Sequence, residues 1–326
     1  MKIWLGVALL LAALAAAGWI QRDRLAAIWA PHPLSDAAMD HLYATPRAPL
    51  TPPVSVFHMG HSLVGVDMPA MLAQIAGPDH RHASQLGWGT SLKQHWAGPA
   101  EIAGFDEMNA RLTYRDAHEA LASGAYTALV LTEMVEIRDA IRYHDTARYM
   151  AQWLQAAVAG NPDIQLYLYE TWHQLDDPEG WHNRIARDLG LYWENGVLRP
   201  ALARMDPPRP VYLIPGGQVM AAFAKALDEQ GGFPGLYDRT DLFARTADGS
   251  QDMIHFNEWG AYLMALTHYA VIYAADPRGR PTHVTQADGS PMRPLPEGAA
   301  ALMQQVVWDV VSTTPKTGLG PTDGAL

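Results

Sequence analysis

The chain contains no cysteine. That absence removes disulfide staples, thiolate metal sites, a cysteine nucleophile and lipid-modified cysteines together. Stability therefore has to come from core packing, and 326 residues of which 49% are hydrophobic are enough for it, as one large domain or two small ones. Positive charge is also scarce. Only 23 Lys and Arg stand against 34 Asp and Glu, a formal net charge of -11. A nucleic-acid groove needs clustered cations to displace phosphate counterions, so nucleic acid is not an expected partner. No internal repeat is found.

One long uncharged run is present, Ile3 to Ile20, between Lys2 and the pair Arg22 and Arg24. It reads as an export signal. The small residues from Ala15 to Gly18 suit a cleavage site, and about eighteen apolar residues also suffice to span a bilayer as an uncleaved anchor. Residues 1–24 are therefore expected to be a signal peptide or an N-terminal membrane anchor, the latter in contact with the membrane. The remainder is expected to be periplasmic or secreted. Residues 25–53, rich in Pro and Ala and closed by Pro52 and Pro53, read as a linker. A folded domain is expected over 54–312, and the tail 313–326, "TTPKTGLGPTDGAL", has a disordered composition.

Within the domain, short apolar runs alternate with longer segments whose apolar spacing is near 3.6. The strand candidates are "VSVFHMG", "TALVLTE", "QLYLYETW" and "PVYLIPGG", with "RHASQ" as a further one. Runs apolar nearly throughout belong to strands covered on both faces. Gly77, Gly124 and Gly160 stand where the intervening helices should stop. Strands alternating with helices imply an α/β fold, a parallel sheet between two helical layers, whose ligands bind outside the carboxyl ends of the strands.

Three places at such ends carry chemistry. In "VFHMGHSLVG", Ser62 directly follows a buried strand, where a nucleophile would stand exposed; the alternative is that Ser62 or Asp67 only caps the helix starting near Met68. The α/β-hydrolase elbow, Gly-x-Ser-x-Gly, does not fit, because the second glycine arrives one place late at Gly65. In "DGSQDMIHFNEWG", Asp252 precedes His255 by three residues. A serine needs a base near neutral pH, histidine supplies it, and a carboxylate on the other ring nitrogen fixes the tautomer; as alternatives, Asp252 is a turn residue and His255 a helix-start residue. In "SQLGWGTSL", glycines flank Trp88, so that the backbone can come close to a ligand and aim an N–H at a developing oxyanion, or simply make a tight turn.

Together these pieces resemble the SGNH (GDSL-like) hydrolase superfamily, through Gly60-His61-Ser62-Leu63 after the first strand and Asp252-Met253-Ile254-His255 near the end. The resemblance spans roughly Pro53 to Asp276. It implies a three-layer α/β/α, flavodoxin-like fold with Ser62 as nucleophile, His255 as base and Asp252 as its orienter. It also implies an oxyanion hole made by the Ser62 N–H, a glycine N–H, for which Gly89 is chosen with Gly87 in reserve, and an asparagine side chain after the central strand. Here the chain departs from the family. It reads "LVLTEMVEIRD", with no asparagine, which leaves the Thr132 hydroxyl or a protonated Glu133 as candidate third donors.

His80 and His82 have metal-like spacing, but no carboxylate pattern completes a set, and they read as surface histidines. His61, Trp88, Glu170 and Trp172 are candidates for lining the substrate pocket, with His173 and Trp181 nearby; core packing explains the tryptophans equally well. No cofactor and no metal are expected. The expected substrate is a small-molecule or glycan ester, and nothing marks an oligomer interface. The reading is an exported serine esterase, with glycan deacetylation as one form of it. Its alternatives are acyl transfer by the same residues, a non-catalytic glycan- or envelope-binding protein on the same fold, and a metal-dependent hydrolase using His80 and His82.

Overall fold

The computed structural model describes residues 31–319; the expected export segment lies outside the described residues. Five strands, β1 (Val54–His61), β2 (His80–Gly87), β3 (Ala128–Leu131), β4 (Gln165–Glu170) and β5 (Val211–Pro215), form one parallel sheet in the order β2-β1-β3-β4-β5. This is the flavodoxin-like order, whose topological switch point falls between β1 and β3. Ser62 and Glu133 follow those two strands, so the crevice opens where the sequence placed its chemistry.

Alternation along the strands builds two cores. Val54 and Val56 of β1 face helices Asp67–Ala76, Gly216–Gln230, Glu258–Tyr273 and Ala299–Thr313, while Phe57 and Met59 face Leu92–Ala97, Ala117–Ala122 and Thr146–Gly160. Both faces are covered, which gives the three-layer α/β/α arrangement and explains the uninterrupted apolar runs. Helix Glu258–Tyr273 is buried nearly all round. Among the described residues no helix is long and apolar enough to cross a membrane.

Three regions differ from expectation. The presumed linker is packed: a helix at Asp36–Leu42 buries Met39, the Tyr43 hydroxyl donates to the Val211 carbonyl at 2.6 Å, and the buried Arg47 guanidinium donates to carbonyls at the end of helix Glu258–Tyr273. The tail expected to be disordered is also packed as far as Leu319. The Leu213 N–H donates to the Lys316 carbonyl at 2.8 Å, the Arg47 N–H to the Gly318 carbonyl at 2.9 Å, and Thr317 is buried. Pro- and Gly-rich composition describes a flexible chain, but these few side chains and carbonyls are enough to dock it. Finally, Asp252 and His255 lie on a strand, β7 (Gln251–Phe256), which pairs antiparallel with β6 (Phe243–Arg245).

Candidate active site

Ser62 stands one residue past β1, in a turn closed by the Val64 N–H donating to the His61 carbonyl at 2.9 Å. It is not a helix cap. The helix at Asp67–Ala76 begins after Val66 without any side-chain cap, and the Asp67 carboxylate instead accepts the Ala287 N–H at 2.8 Å. The hairpin of β6 and β7 brings the other partners over this turn. His255 Nε2 lies 2.9 Å from Ser62 Oγ, and His255 Nδ1 lies 2.9 Å from Asp252 Oδ2. The second oxygen, Asp252 Oδ1, accepts the N–H groups of Ile254 and His255, each at 2.9 Å. Partial burial works against ionising Asp252, but these donors outweigh it and hold its carboxyl below the usual range. With Nδ1–H donating to a carboxylate, Nε2 is left to accept the Ser62 hydroxyl proton.

The β1–β2 register, His61 opposite Gly87, sets the Gly-Trp-Gly loop beside the serine turn. Gly89 has φ +51, a left-handed conformation that suits glycine, and open space around it. Among the described residues neither the Ser62 N–H nor the Gly89 N–H is taken up by a protein acceptor. Trp88 is half exposed, and its ring lies against Gly104. A cavity of about 430 Å³ reaches Val66 at the end of the turn and is also lined by Pro69, Ala70, His82, Ser84 and Arg111.

Several candidate residues stand elsewhere than expected. Thr132 is buried and its hydroxyl donates to the Tyr169 carbonyl at 2.8 Å, so that hydroxyl is already committed to the sheet. The Glu133 carboxyl points into the layer of helix Thr146–Gly160, where it accepts the N–H groups of Leu92 at 3.2 Å and Met134 at 2.8 Å and the Thr146 hydroxyl. Burial pushes it up to about 7 against those three donors. Neither residue points a donor at the serine. The reason is the alternation of β3: Thr132 continues the face of Val130, and Glu133 that of Leu131.

His61, Glu170 and Trp172 are buried, and their polar atoms bond to protein partners. His61 donates from Nε2 to the Glu133 carbonyl at 2.8 Å and accepts the Leu63 N–H on Nδ1 at 3.3 Å; burial lowers it to about 4, so it is a neutral brace of the turn. Glu170 accepts the N–H groups of Gly217 at 2.8 Å and Gln218 at 3.3 Å, at the start of helix Gly216–Gln230, and burial raises it to about 8. A Cβ at Gly217 would collide with that carboxylate and one at Gly216 with the Tyr169 ring, which is why the helix opens on two glycines. Trp172 donates from Nε1 to the Ile254 carbonyl at 2.8 Å, so it holds β7 and not a ligand. His173 faces Asp188 at 3.2 Å, and the Trp181 indole donates to the His173 carbonyl. His80 is no surface histidine. It is buried with Nδ1 at 2.8 Å from the Tyr273 hydroxyl, and His82 is half-buried beside it.

Two supports left no recognisable mark in the sequence. Buried His95 donates from Nε2 to the Gly60 carbonyl at 2.8 Å, while its Nδ1 accepts from Gln85 at 3.0 Å. The Leu175 N–H donates to the Met253 carbonyl at 2.8 Å, which adds a second tie from the β4 exit loop to β7. For His95 the signal was a polar residue within a partly apolar segment; the Leu175–Met253 tie is between backbone groups and leaves no side-chain signal.

No protein-family model matches the chain, and no curated protein matches it in sequence. Among solved structures, it is similar to a DUF4886 family protein from Bacteroides uniformis, at 14% identity and TM-score 0.48, over 82% of this chain and 99% of that one. A GDSL-like lipase candidate from Parabacteroides merdae is similar at 13% identity and TM-score 0.41, over 70% of this chain and 99% of that one. A carbohydrate esterase family 2 enzyme with a carbohydrate-binding domain, from Corynascus (Myceliophthora fergusii), is similar at 10% identity and TM-score 0.37, over 71% and 68%.

Proposed function

We propose that the protein is a serine ester hydrolase of the SGNH type. The observation that carries this reading is the unbroken chain from Ser62 Oγ to His255 Nε2 and from His255 Nδ1 to Asp252 Oδ2, at 2.9 Å each. In this mechanism His255 takes the Ser62 proton as Oγ attacks the acyl carbonyl, and Asp252 steadies the imidazolium. The carbonyl oxygen becomes an oxyanion facing the N–H groups of Ser62 and Gly89. His255 then returns the proton to the leaving alcohol. Water, deprotonated by the same imidazole, releases the acid and restores the serine. The half-exposed Trp88 beside Gly89 offers an aromatic face to the alcohol part of the ester, which suits a glycan as well as a smaller alcohol.

A non-catalytic binding protein on this fold is the rival, favoured by the end of β3, which sends neither side chain to the oxyanion. A fluorophosphonate probe separates the two. The esterase is labelled at Ser62 and hydrolyses p-nitrophenyl acetate, and both signals disappear in Ser62→Ala; a protein inert to the probe belongs to the rival reading.

A further inference from the structure

We infer that Glu133 is a positioning residue that locks the loop carrying Gly89 to the turn carrying Ser62. The inference depends on Ser62 being the nucleophile. Glu133 faces two ways at once. Its carbonyl accepts His61 Nε2–H at 2.8 Å, next to Ser62 in the chain, and its Oε1 accepts the Leu92 N–H at 3.2 Å, three residues past Gly89.

Between those anchors lies the loop from Gly87 to Leu92. Its first end is fixed by the pairing of Gly87 with His61, and its far end is the start of helix Leu92–Ala97, which Ser91 and Gln94 close with a reciprocal capping box. Trp153 donates to the Leu92 carbonyl at 3.1 Å from one side, and Glu133 holds the Leu92 N–H from the other. Gly89, whose φ is +51, lies between these ends, next to Trp88, whose N–H donates to the Ala103 carbonyl at 2.7 Å, and the buried carboxyl holds the helix end of the loop. With its carboxyl turned away from the serine, Glu133 arranges the two backbone donors, the N–H groups of Ser62 and Gly89.

An apolar side chain at this place would leave two N–H groups and the Thr146 hydroxyl unpaired in the interior. A purely structural role would then lower stability alone. Positioning makes a different demand: because the Gly89 N–H counts chiefly when the oxyanion forms, kcat should fall while KM holds.

The test measures kcat and KM for p-nitrophenyl acetate in the parent, Glu133→Gln, Glu133→Asp and Glu133→Ala, per active site titrated with a fluorophosphonate. Glu133→Ala is expected to lose about 10- to 100-fold in kcat, and Glu133→Asp, too short to reach Leu92, about tenfold, both with KM within about twofold. Glu133→Gln is expected to recover to within about threefold of the parent, because its amide oxygen accepts the two N–H groups and its amino group donates to Thr146. If Glu133→Ala does not fold, Glu133→Asp decides. Unchanged kcat per titrated site in Glu133→Asp, or a loss confined to KM, overturns the inference and leaves the esterase reading standing. A parent that is neither labelled nor active overturns that reading first, and this inference with it.

Discussion

The two halves of the site are built from opposite materials. The serine half is dry and neutral: Gly60, His61 and Leu63 are held by the imidazoles of His61 and His95, both wholly buried and both lowered to about 4 by burial. The base half is partly open and ionic. His255 is 44% exposed and leans on the Asp252 carboxylate, and β7 is tied by Trp172 and Leu175 to the β4 exit loop. A buried charge network fixes that loop. Arg184, fully buried, donates to Asp188 at 2.7 Å and Asp177 at 2.8 Å and pairs with Glu136 at 3.2 Å. Partial burial would raise Glu136, but Arg138 and Arg184 bring it to about 2. In the proposed reaction the nucleophile needs a fixed place and little else, and neutral hydrogen bonds supply that at low desolvation cost. The proposed base would have to stabilise a positive charge, and its support contains an anion.

The sharpest break in this contrast is Asp252→Asn. The amide still accepts the N–H groups of Ile254 and His255, so the fold of β7 should survive. Its amino group, however, donates to His255 Nδ1 and moves the ring proton to Nε2, where the imidazole can no longer accept from Ser62. A loss of about 10⁴-fold in kcat is expected, with an unchanged melting temperature. Should the variant keep even a tenth of the parental rate, the carboxylate is not what orients the base.

Arg184→Met comes next. It takes the cation from Asp177, while Glu136 keeps Arg138 and Asp188 keeps Arg187, so the loss should lie at the lower end of the cost of breaking a buried ionic group, about 3 kcal/mol. Urea denaturation should record that loss. Because the network braces the loop that holds β7, kcat should fall in the protein that remains folded. A stability change below about 1 kcal/mol would mean that solvent already screens the cluster.

Part of the fold and of the candidate site was legible in the sequence, and the limits have physical causes. Strands β1, β3, β4 and β5 could be read because burial on both faces writes each of them as an apolar run, and polar residues stand out where such runs end; β2, largely polar, was a weaker candidate, and β7 gave no strand signal. Ser62 is such a residue, while Asp252 and His255 were legible through their spacing. The facing of Thr132 and Glu133 could not be read, since a strand covered on both faces shows no polar alternation to tell which side chain points to which layer. An indole at a strand end is compatible with a ligand platform or with core packing, and the sequence does not choose between them; the Trp172 N–H serves a backbone carbonyl. Arg47 and the tail were hidden by composition, because docking through a handful of carbonyls leaves no periodic signature.

The neutral character of the serine half and the core beneath it also predicts how stability depends on pH. Burial lowers His61, His95 and His268 to about 4, His80 to about 3, and His58 well below the ordinary 6.5. Below pH 6.5 the unfolded chain binds protons at these five positions that the folded chain refuses, so stability falls as pH falls from there towards 4. Glu133 and Glu170, raised from 4.5 to about 7 and about 8, act in the other direction: their contribution is complete below 4.5 and is lost as pH rises through those values. Five groups outweigh two on the acid side, and between neutrality and pH 8 the two glutamates set the trend, the buried tyrosines acting at higher pH. Urea midpoints should therefore peak at roughly pH 6.5–7, drop steeply towards 4.5 and decline gently towards 8. A profile flat from 4.5 to 6.5 would show that water reaches these imidazoles.

The smallest effect is expected at Thr132, and it tests the boundary between the serine half and the sheet behind it. If the hydroxyl served the oxyanion, Thr132→Val would cost about 100-fold in kcat, as removal of one such donor does. In the structure the hydroxyl donates to the Tyr169 carbonyl across to β4, and only the methyl group approaches Gly60. Valine keeps that methyl and its place. What is lost is one partner of a buried carbonyl, a cost of about 1–3 kcal/mol in stability. The expected result is therefore a lower urea midpoint with kcat and KM each within about threefold of the parent. The opposite outcome, a large fall in kcat at unchanged stability, would require the hydroxyl to turn from Tyr169 to the substrate during the reaction, and the oxyanion would then have a side-chain donor after all.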